Sequence, residues 1–389
     1  MSKTPYHRDI SDKILKLFKK FPVIALTGPR QAGKSTLIRH LFPDLPYLNL
    51  EELATYQFAS EDPVGSIKHH NQGVIIDEAQ RVPELFRAIQ VEVDRKNSKA
   101  KYLLSGSQNF LLMRDIGQTL AGRVAVLNLL PFSISELKQA KLKLDLEETI
   151  FHGGYPRIHA EKIEPTDWLP SYTRTYLERD IRDLKNVNDL SQFQRFIVAL
   201  AARIGSQIDF TGIGNDIGVS HNTIRSWMSL LETSFIATTL QPYHKNYNKR
   251  LTKTPKVYFY DTGLACSVLG IRSKDELVGH KMRGPLFENL ILNEYQKYYL
   301  NLGESPKLYY WKDKKSEVDC LIETSYDTII PIEFKSGHSL SADQFKGIRY
   351  FLGLSEINQG FLIFGGDKSQ KREDVSVYPW NECLKPIKK

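Results

Sequence analysis

The chain has 389 residues, 41% of them hydrophobic and 25% charged, and 53 basic against 45 acidic side chains leave a net charge of +8. That size points to two or three globular domains, and the positive balance favours an anionic partner. Cys266, Cys320 and Cys383 are too few and too scattered for a disulfide framework or a C-x-x-C zinc site, and no apolar run could span a bilayer.

The opening MSKTPYHRDI lacks the apolar core of a signal peptide, so a reducing, cytoplasmic setting is expected. Ile10, Ile14, Leu15, Leu17 and Phe18 then fall near helical spacing, predicting an amphipathic helix over 10–19. Residues 21–27 (FPVIALT) form a short apolar run, predicted as a strand, and 35–41 reads as a helix. Between them Gly28, Pro29, Arg30, Gln31, Ala32, Gly33, Lys34 and Ser35 match the G-x-x-x-x-G-K-[ST] phosphate loop, with Thr36 directly after. Glycines let successive N–H groups turn toward an anion, and the helix N-terminus adds positive potential. Lys34 can reach the β- and γ-phosphates of ATP, and the Ser35 hydroxyl can hold Mg²⁺.

Further strands are predicted at 46–50, 74–77, 101–105 and 124–130, alternating with helices, the pattern of a largely parallel α/β sheet. The third ends in Asp77-Glu78. Asp77 suits the acid that orients Mg²⁺, and Glu78 suits the base that polarises the attacking water. The fourth runs into Ser105-Gly106-Ser107, where a small polar side chain could contact the γ-phosphate; Ser107 and Ser105 both qualify. Arg123, in LAGRV, is a candidate arginine finger acting across a subunit boundary, which would require a homo-oligomer.

Pro131-Phe132-Ser133 interrupts the alternation, Ser133-x-x-Glu136 is a capping box, and the chain to about 185 reads as helical. Residues 191–240 form a distinct unit. Phe193, Phe196, Ile197, Leu200 and Ala201 suit a buried helical face, and 209–231 reads as helix–turn–helix, with Ser220 capping a second helix. That helix would turn Ile224, Trp227, Met228 and Leu231 inward and His221, Asn222, Arg225 and Ser226 outward. Two readings stand: a helix offered to a DNA major groove, or a packing module that binds no nucleic acid. The basic, tyrosine-bearing stretch 243–256 (Lys245, Lys249, Arg250, Lys253, Lys256) suits a phosphate backbone or a solvated linker.

Toward the C-terminus, 317–322 and 330–335 read as strands carrying Asp319 and Glu333-x-Lys335. Neighbouring strands would let Asp319 and Glu333 share a Mg²⁺ ion, and alternation puts Glu333 and Lys335 on one face, where Lys335 can position a water. Glu288 could add a carboxylate. Ordinary exposed strand charges would give the same pattern.

The stretches LTGPRQAGKSTL, VIIDEAQ, LLSGSQNFLL, LAGRV, LPFSISEL, GGYPR, ERDIRDL, YFYDTGLACSVLG, GPLFENLIL, EVDCLI and IEFKSG resemble those of a family of prokaryotic AAA-type P-loop ATPases. The C-terminal domain of that family, of unknown function, is similar to the restriction-endonuclease-like fold. The resemblance implies an α/β protein with a P-loop ATPase core (1–130), a helical lid region (131–190), a winged-helix-like domain (191–245) and a restriction-endonuclease-like α/β domain (246–389). It also implies ATP and Mg²⁺ as cofactors. Three functions follow: an ATP-driven machine acting on DNA, a nucleotide-dependent signalling or defence switch with a protein partner, or an ATP-gated nuclease. No membrane partner is expected.

Overall fold

The computed structural model describes residues 6–68, 70, 72–95, 100–106, 109–142, 145–176, 189–244, 254–325 and 328–388. They divide into two compact units. The first is Met1–Leu142 with Thr233–Phe235 and Tyr298–Ser305; the second is Lys143–Glu232, Ile236–Lys297 and Pro306–Lys389.

The first unit is a parallel sheet with helices on both faces. Its strands are β1 (Val23–Thr27), β2 (Tyr47–Asn49), β3 (Gly73–Asp77), β4 (Lys101–Gly106) and β5 (Val124–Asn128), in the order β2-β3-β4-β1-β5. Every pairing is parallel. A strand covered on both faces reads as a continuous apolar run rather than an alternating one, and β1 and β3 are buried at every position. Strand alternation then deals the residues to two cores. Val23, Ala25, Val74, Ile76, Tyr102 and Leu104 pack against α5 (Glu84–Val93) and α6 (Asn109–Thr119). Ile24, Leu26, Ile75 and Leu103 pack against α1 (Ser11–Phe18) and α2 (Lys34–Leu41). Two short helices, α3 (Leu53–Glu61) and α4 (Pro63–Lys68), lie between β2 and β3 in sequence. The unit closes with α7 (Ile134–Gln139), whose capping box is formed by Ser133 and Glu136 as expected.

The second unit opens with α8 (Leu146–His152), α9 (Pro156–Glu161) and α10 (Pro165–Tyr176). Next come α11 (Leu190–Ala201), α12 (Phe210–Ile217) and α13 (His221–Thr233), closed around Phe193, Phe196 and Trp227. Gly218 (φ 85°) ends α12 in the left-handed region, and a Cβ on Gly214 would press on the Val219 carbonyl, so both glycines let the helices turn tightly. An antiparallel hairpin follows, β6 (Ala237–Pro242) with β7 (Lys256–Phe259). After α14 (Thr262–Val268), α15 (Lys274–Gly279) and the long α16 (Arg283–Asn301) come β8 (Leu308–Lys312), β9 (Glu317–Ser325) and β10 (Thr328–Lys335). The remaining elements are α17 (Lys346–Leu354), β11 (Gly360–Phe364), β12 (Gln370–Arg372) and β13 (Val375–Pro379). Together the strands make one eight-stranded mixed sheet, β12-β13-β11-β10-β9-β8-β6-β7.

The boundaries expected at 190 and 245 fall inside this second unit. β6 pairs with β7 on one side and, in parallel, with β8 on the other. Backbone pairing thus joins strands on both sides of 245 in one sheet, and the first unit extends to Leu142.

Candidate functional site

The loop leaving β1 has the backbone an anion cradle needs. Gly28 (φ 145°), Gln31 (φ 62°) and Gly33 (φ 90°) all lie at positive φ, and a Cβ on Gly28 would collide with the Leu129 carbonyl. Gly33 caps the N-terminus of α2, where Lys34, Ser35 and Thr36 form the first turn. Lys34 is only 6% exposed, and its ammonium donates to the carbonyls of Gly28 (2.9 Å) and Pro29 (2.8 Å). Burial pulls its pKa down to about 8, with Glu78 and Asp77 opposing. Such a lysine gains from an anion that restores its charge balance.

The neighbouring strand ends complete the site. Asp77 accepts hydrogen bonds from the Ser105 hydroxyl and from Tyr47 (2.6 Å). Burial and the Asp77 contact push the Tyr47 pKa up, so it stays a neutral donor. Ser35 and Asp77 offer the hydroxyl and carboxylate that a hydrated Mg²⁺ accepts, so the residues fit the ion. Glu78 sits in the left-handed region (φ 54°) and accepts from the Gln80 side chain at 2.6 Å. Ser105 is committed to Asp77, and Ser107, the other sensor candidate, lies outside the described residues.

Sequence reasoning missed Tyr47, Gln80 and Arg8. Arg8, 5% exposed, donates from Nη1 to the Ala32 carbonyl (2.8 Å), from Nη2 to Leu130 (2.5 Å) and from Nε to Glu136 (3.0 Å). Glu136, itself 2% exposed, also accepts from the backbone of Asp9 and Ser133. This buried pair ties the loop crest to the start of α7. Arg8→Ala leaves the Glu136 carboxylate buried without its cation, and a loss of about 3–5 kcal/mol is expected. Urea unfolding checks it; a variant within about 0.5 kcal/mol of wild type refutes the clamp.

Arg123 stands away from this constellation. It makes a bidentate pair with Asp94 (2.6 and 2.8 Å) and donates to the Ala121 carbonyl. Acting as a finger on a neighbouring subunit requires exchanging that pair.

A second polar cluster lies in the second unit. The β9–β10 register pairs Cys320 with Ile332, which brings Asp319 opposite Glu333. Asp319 accepts from the Phe334 backbone (2.8 Å), and Lys335 donates to Glu333 Oε1 (2.6 Å). Glu333 is 6% exposed, and its Oε2 has no hydrogen-bond partner among the described residues. Glu288 on α16 accepts from Lys256 (3.3 Å) and Tyr258. Burial, then the nearby Asp319 carboxylate, raises the pKa of both Glu288 and Glu333. No group of three or more His, Cys, Asp or Glu side chains at metal-binding spacing occurs among the described residues. Asp319 and Glu333 thus bring two carboxylates together, the second with one unpartnered buried oxygen.

Lys256 needs a correction. Expected on a solvated basic stretch, it opens β7 only 2% exposed and pairs with Glu288 and Glu317, so it is unavailable to a phosphate backbone. Lys245, Lys249, Arg250 and Lys253 lie outside the described residues. On α13, His221, Asn222, Arg225 and Ser226 are exposed as expected, and Arg225 rests over the Phe210 ring.

Residues 20–138 match the AAA domain, 143–275 a domain of unknown function (DUF8612) and 283–383 another (DUF4143). An uncharacterized protein of Mycobacterium tuberculosis is 29% identical over 322 residues, covering 82% of this chain and 71% of the relative. An uncharacterized protein of Methanocaldococcus jannaschii is 23% identical, covering 94% and 86%. Among solved structures, the Walker-type ATPase of Pyrococcus abyssi aligns with a TM-score of 0.45 and 14% identity, covering 67% of this chain and 95% of that one. The first unit therefore has an AAA-type ATPase-like fold, similar to the AAA domain over residues 20–138. The particular chain joins that domain to two others of unknown function, and none of its described helices is long and apolar enough to cross a membrane.

Proposed function

We propose that this protein is a Mg²⁺-dependent ATPase that acts on DNA. The observation that carries the ATPase reading is a lysine buried in the phosphate loop, with Asp77 held at the end of the neighbouring β3 by Tyr47 and Ser105. Lys34, held by two loop carbonyls, turns to the β- and γ-phosphates when they arrive. Backbone N–H groups of residues 28–35 bind the phosphate oxygens. Ser35 would hold Mg²⁺ directly and Asp77 through water; the ion supplies neutralisation of charge on the phosphates. Glu78 takes the proton of the attacking water. Arg123 reaches the γ-phosphate of a neighbouring subunit after leaving Asp94, in a homo-oligomer.

Three features support DNA as the partner: three helices followed by a hairpin, in the manner of a winged helix; the exposed His221, Asn222, Arg225 and Ser226 along α13; and the net charge of +8. The unpartnered Glu333 oxygen beside Asp319 and Lys335 supports a nuclease-like, Mg²⁺-binding site in the second unit.

The test is ATP turnover with and without single-stranded, duplex and branched DNA at stated salt, with cleavage scored in the same tubes. Stimulated turnover is expected, with affinity falling as salt rises because bound counterions are released. No binding to any DNA at physiological ionic strength removes DNA from the proposal. Slow, DNA-insensitive turnover that responds to a protein would favour the switch instead.

A further inference from the structure

Gln80 has no part in the phosphate loop or the metal ligands, yet its side chain ends on the proposed base. It follows β3 in a single 3-10 turn, Ala79–Arg81, that begins as soon as Glu78 has taken its left-handed conformation. Only 6% of Gln80 is exposed. Its Nε2 donates to Glu78 Oε2 at 2.6 Å, which settles which end of the amide faces the carboxylate, because the reverse orientation would set two oxygens against each other. The other end, Oε1, is buried with no hydrogen-bond partner among the described residues. It packs on Gly106, where an added Cβ would overlap it. Gly106 ends β4 and is paired in register with Thr27, the residue before the phosphate loop. The amide is thus wedged between the end of β4 and the Glu78 carboxylate.

A buried amide oxygen without a donor is destabilising, and a fold that keeps one requires an explanation. An apolar side chain of the same size would avoid that cost and would also lose the N–H that holds Glu78. From these contacts we infer that Gln80 is the positioning residue of the hydrolytic base. It fixes one carboxylate oxygen of Glu78 and with it the orientation of the carboxylate. The inference rests on the hydrolysis reading above and names a residue that reading does not contain. Gln80 acts through Glu78 and touches neither nucleotide nor metal.

The experiment is a double-mutant cycle read as turnover, with affinity for a fluorescent ATP analogue and melting temperature measured on the same preparations. Gln80→Leu keeps the packing on Gly106, and Gln80→Ala guards against a defect peculiar to leucine. Both are expected to lower kcat by about 10²-fold, the cost of misplacing a reacting group. Nucleotide affinity should stay within about twofold, since a base that no longer points correctly still leaves the loop intact. In a Glu78→Gln background, the same Gln80 substitutions should cost nothing further, because there is no base left to position. A purely structural role would instead weaken affinity and lower the melting temperature, and would do so equally in both backgrounds. Either that result or a wild-type kcat in both single variants overturns the inference. Wild-type protein that binds the analogue but never hydrolyses ATP overturns the hydrolysis reading itself, and the inference with it.

Discussion

Lys34→Ala is expected to lose nucleotide binding almost completely. The ammonium is buried and, among the described residues, donates to the Gly28 and Pro29 carbonyls. Phosphate oxygens would replace these neutral acceptors with charged ones. Two charge-assisted hydrogen bonds at about 1.5–3 kcal/mol each correspond to about 10²–10⁴-fold in affinity. Lys34→Arg should fail as well, because a planar guanidinium cannot fit the space of a compact ammonium. Burial also sets a pH signature. Free Lys34 loses its proton near pH 8, while phosphate binds the protonated form, so affinity should fall as pH rises through that value. Titration calorimetry across pH 6–9 checks both points. A Lys34→Ala protein with wild-type affinity would mean the anion binds elsewhere.

Much of the first unit was legible because its information is local. β1, β3 and β4 are short apolar runs closed by glycine or charge, and the loop that follows β1 needs glycine at fixed positions. What escaped notice is held by contacts distant in sequence. Arg8 meets Glu136 across 128 residues, and Tyr47 meets Asp77 across 30. A lone arginine before an amphipathic helix, or a tyrosine in a three-residue strand, carries no pattern that marks it. Gln80 stood inside a recognised motif, but nothing in the string of letters says that its amide turns back to Glu78.

The second unit shows the same division. Alternation along β10 correctly put Glu333 and Lys335 on one face, and the β9–β10 pairing set Asp319 opposite Glu333. Lys256 was misjudged because it follows a basic stretch in sequence but enters a sheet edge in space, where Glu288 and Glu317 surround it. Burial alone would lower the pKa of that lysine, yet the carboxylates of Glu288, Asp319 and Glu317 outweigh the desolvation and raise it. The stretch around 245 shows a related effect. Local composition changes near 245, while β6 joins β8 by backbone pairing that no local window can register.

Glu78→Gln should separate binding from hydrolysis more sharply than any other single change in the first unit. Glutamine keeps the length and shape of the side chain but cannot take a proton from water. The Gln80 contact would then lie between two amides, which can still hydrogen-bond, so the backbone at Glu78 has no reason to leave its left-handed conformation. Lys34, Ser35 and Asp77 keep their places, but the Glu78 charge that helps Lys34 hold its proton is lost, so MgATP affinity should remain within about twofold of wild type only well below pH 8, where Lys34 stays charged. Losing a general base typically lowers turnover by about 10²–10⁴-fold. The variant should therefore accumulate with uncleaved ATP, which single-turnover quench experiments would detect as slow release of phosphate after normal binding. Unchanged turnover would assign the base to another residue. Lost binding would mean that Glu78 shapes the phosphate site itself, because a residue that acts only on the water has no contact through which to alter the ground-state complex.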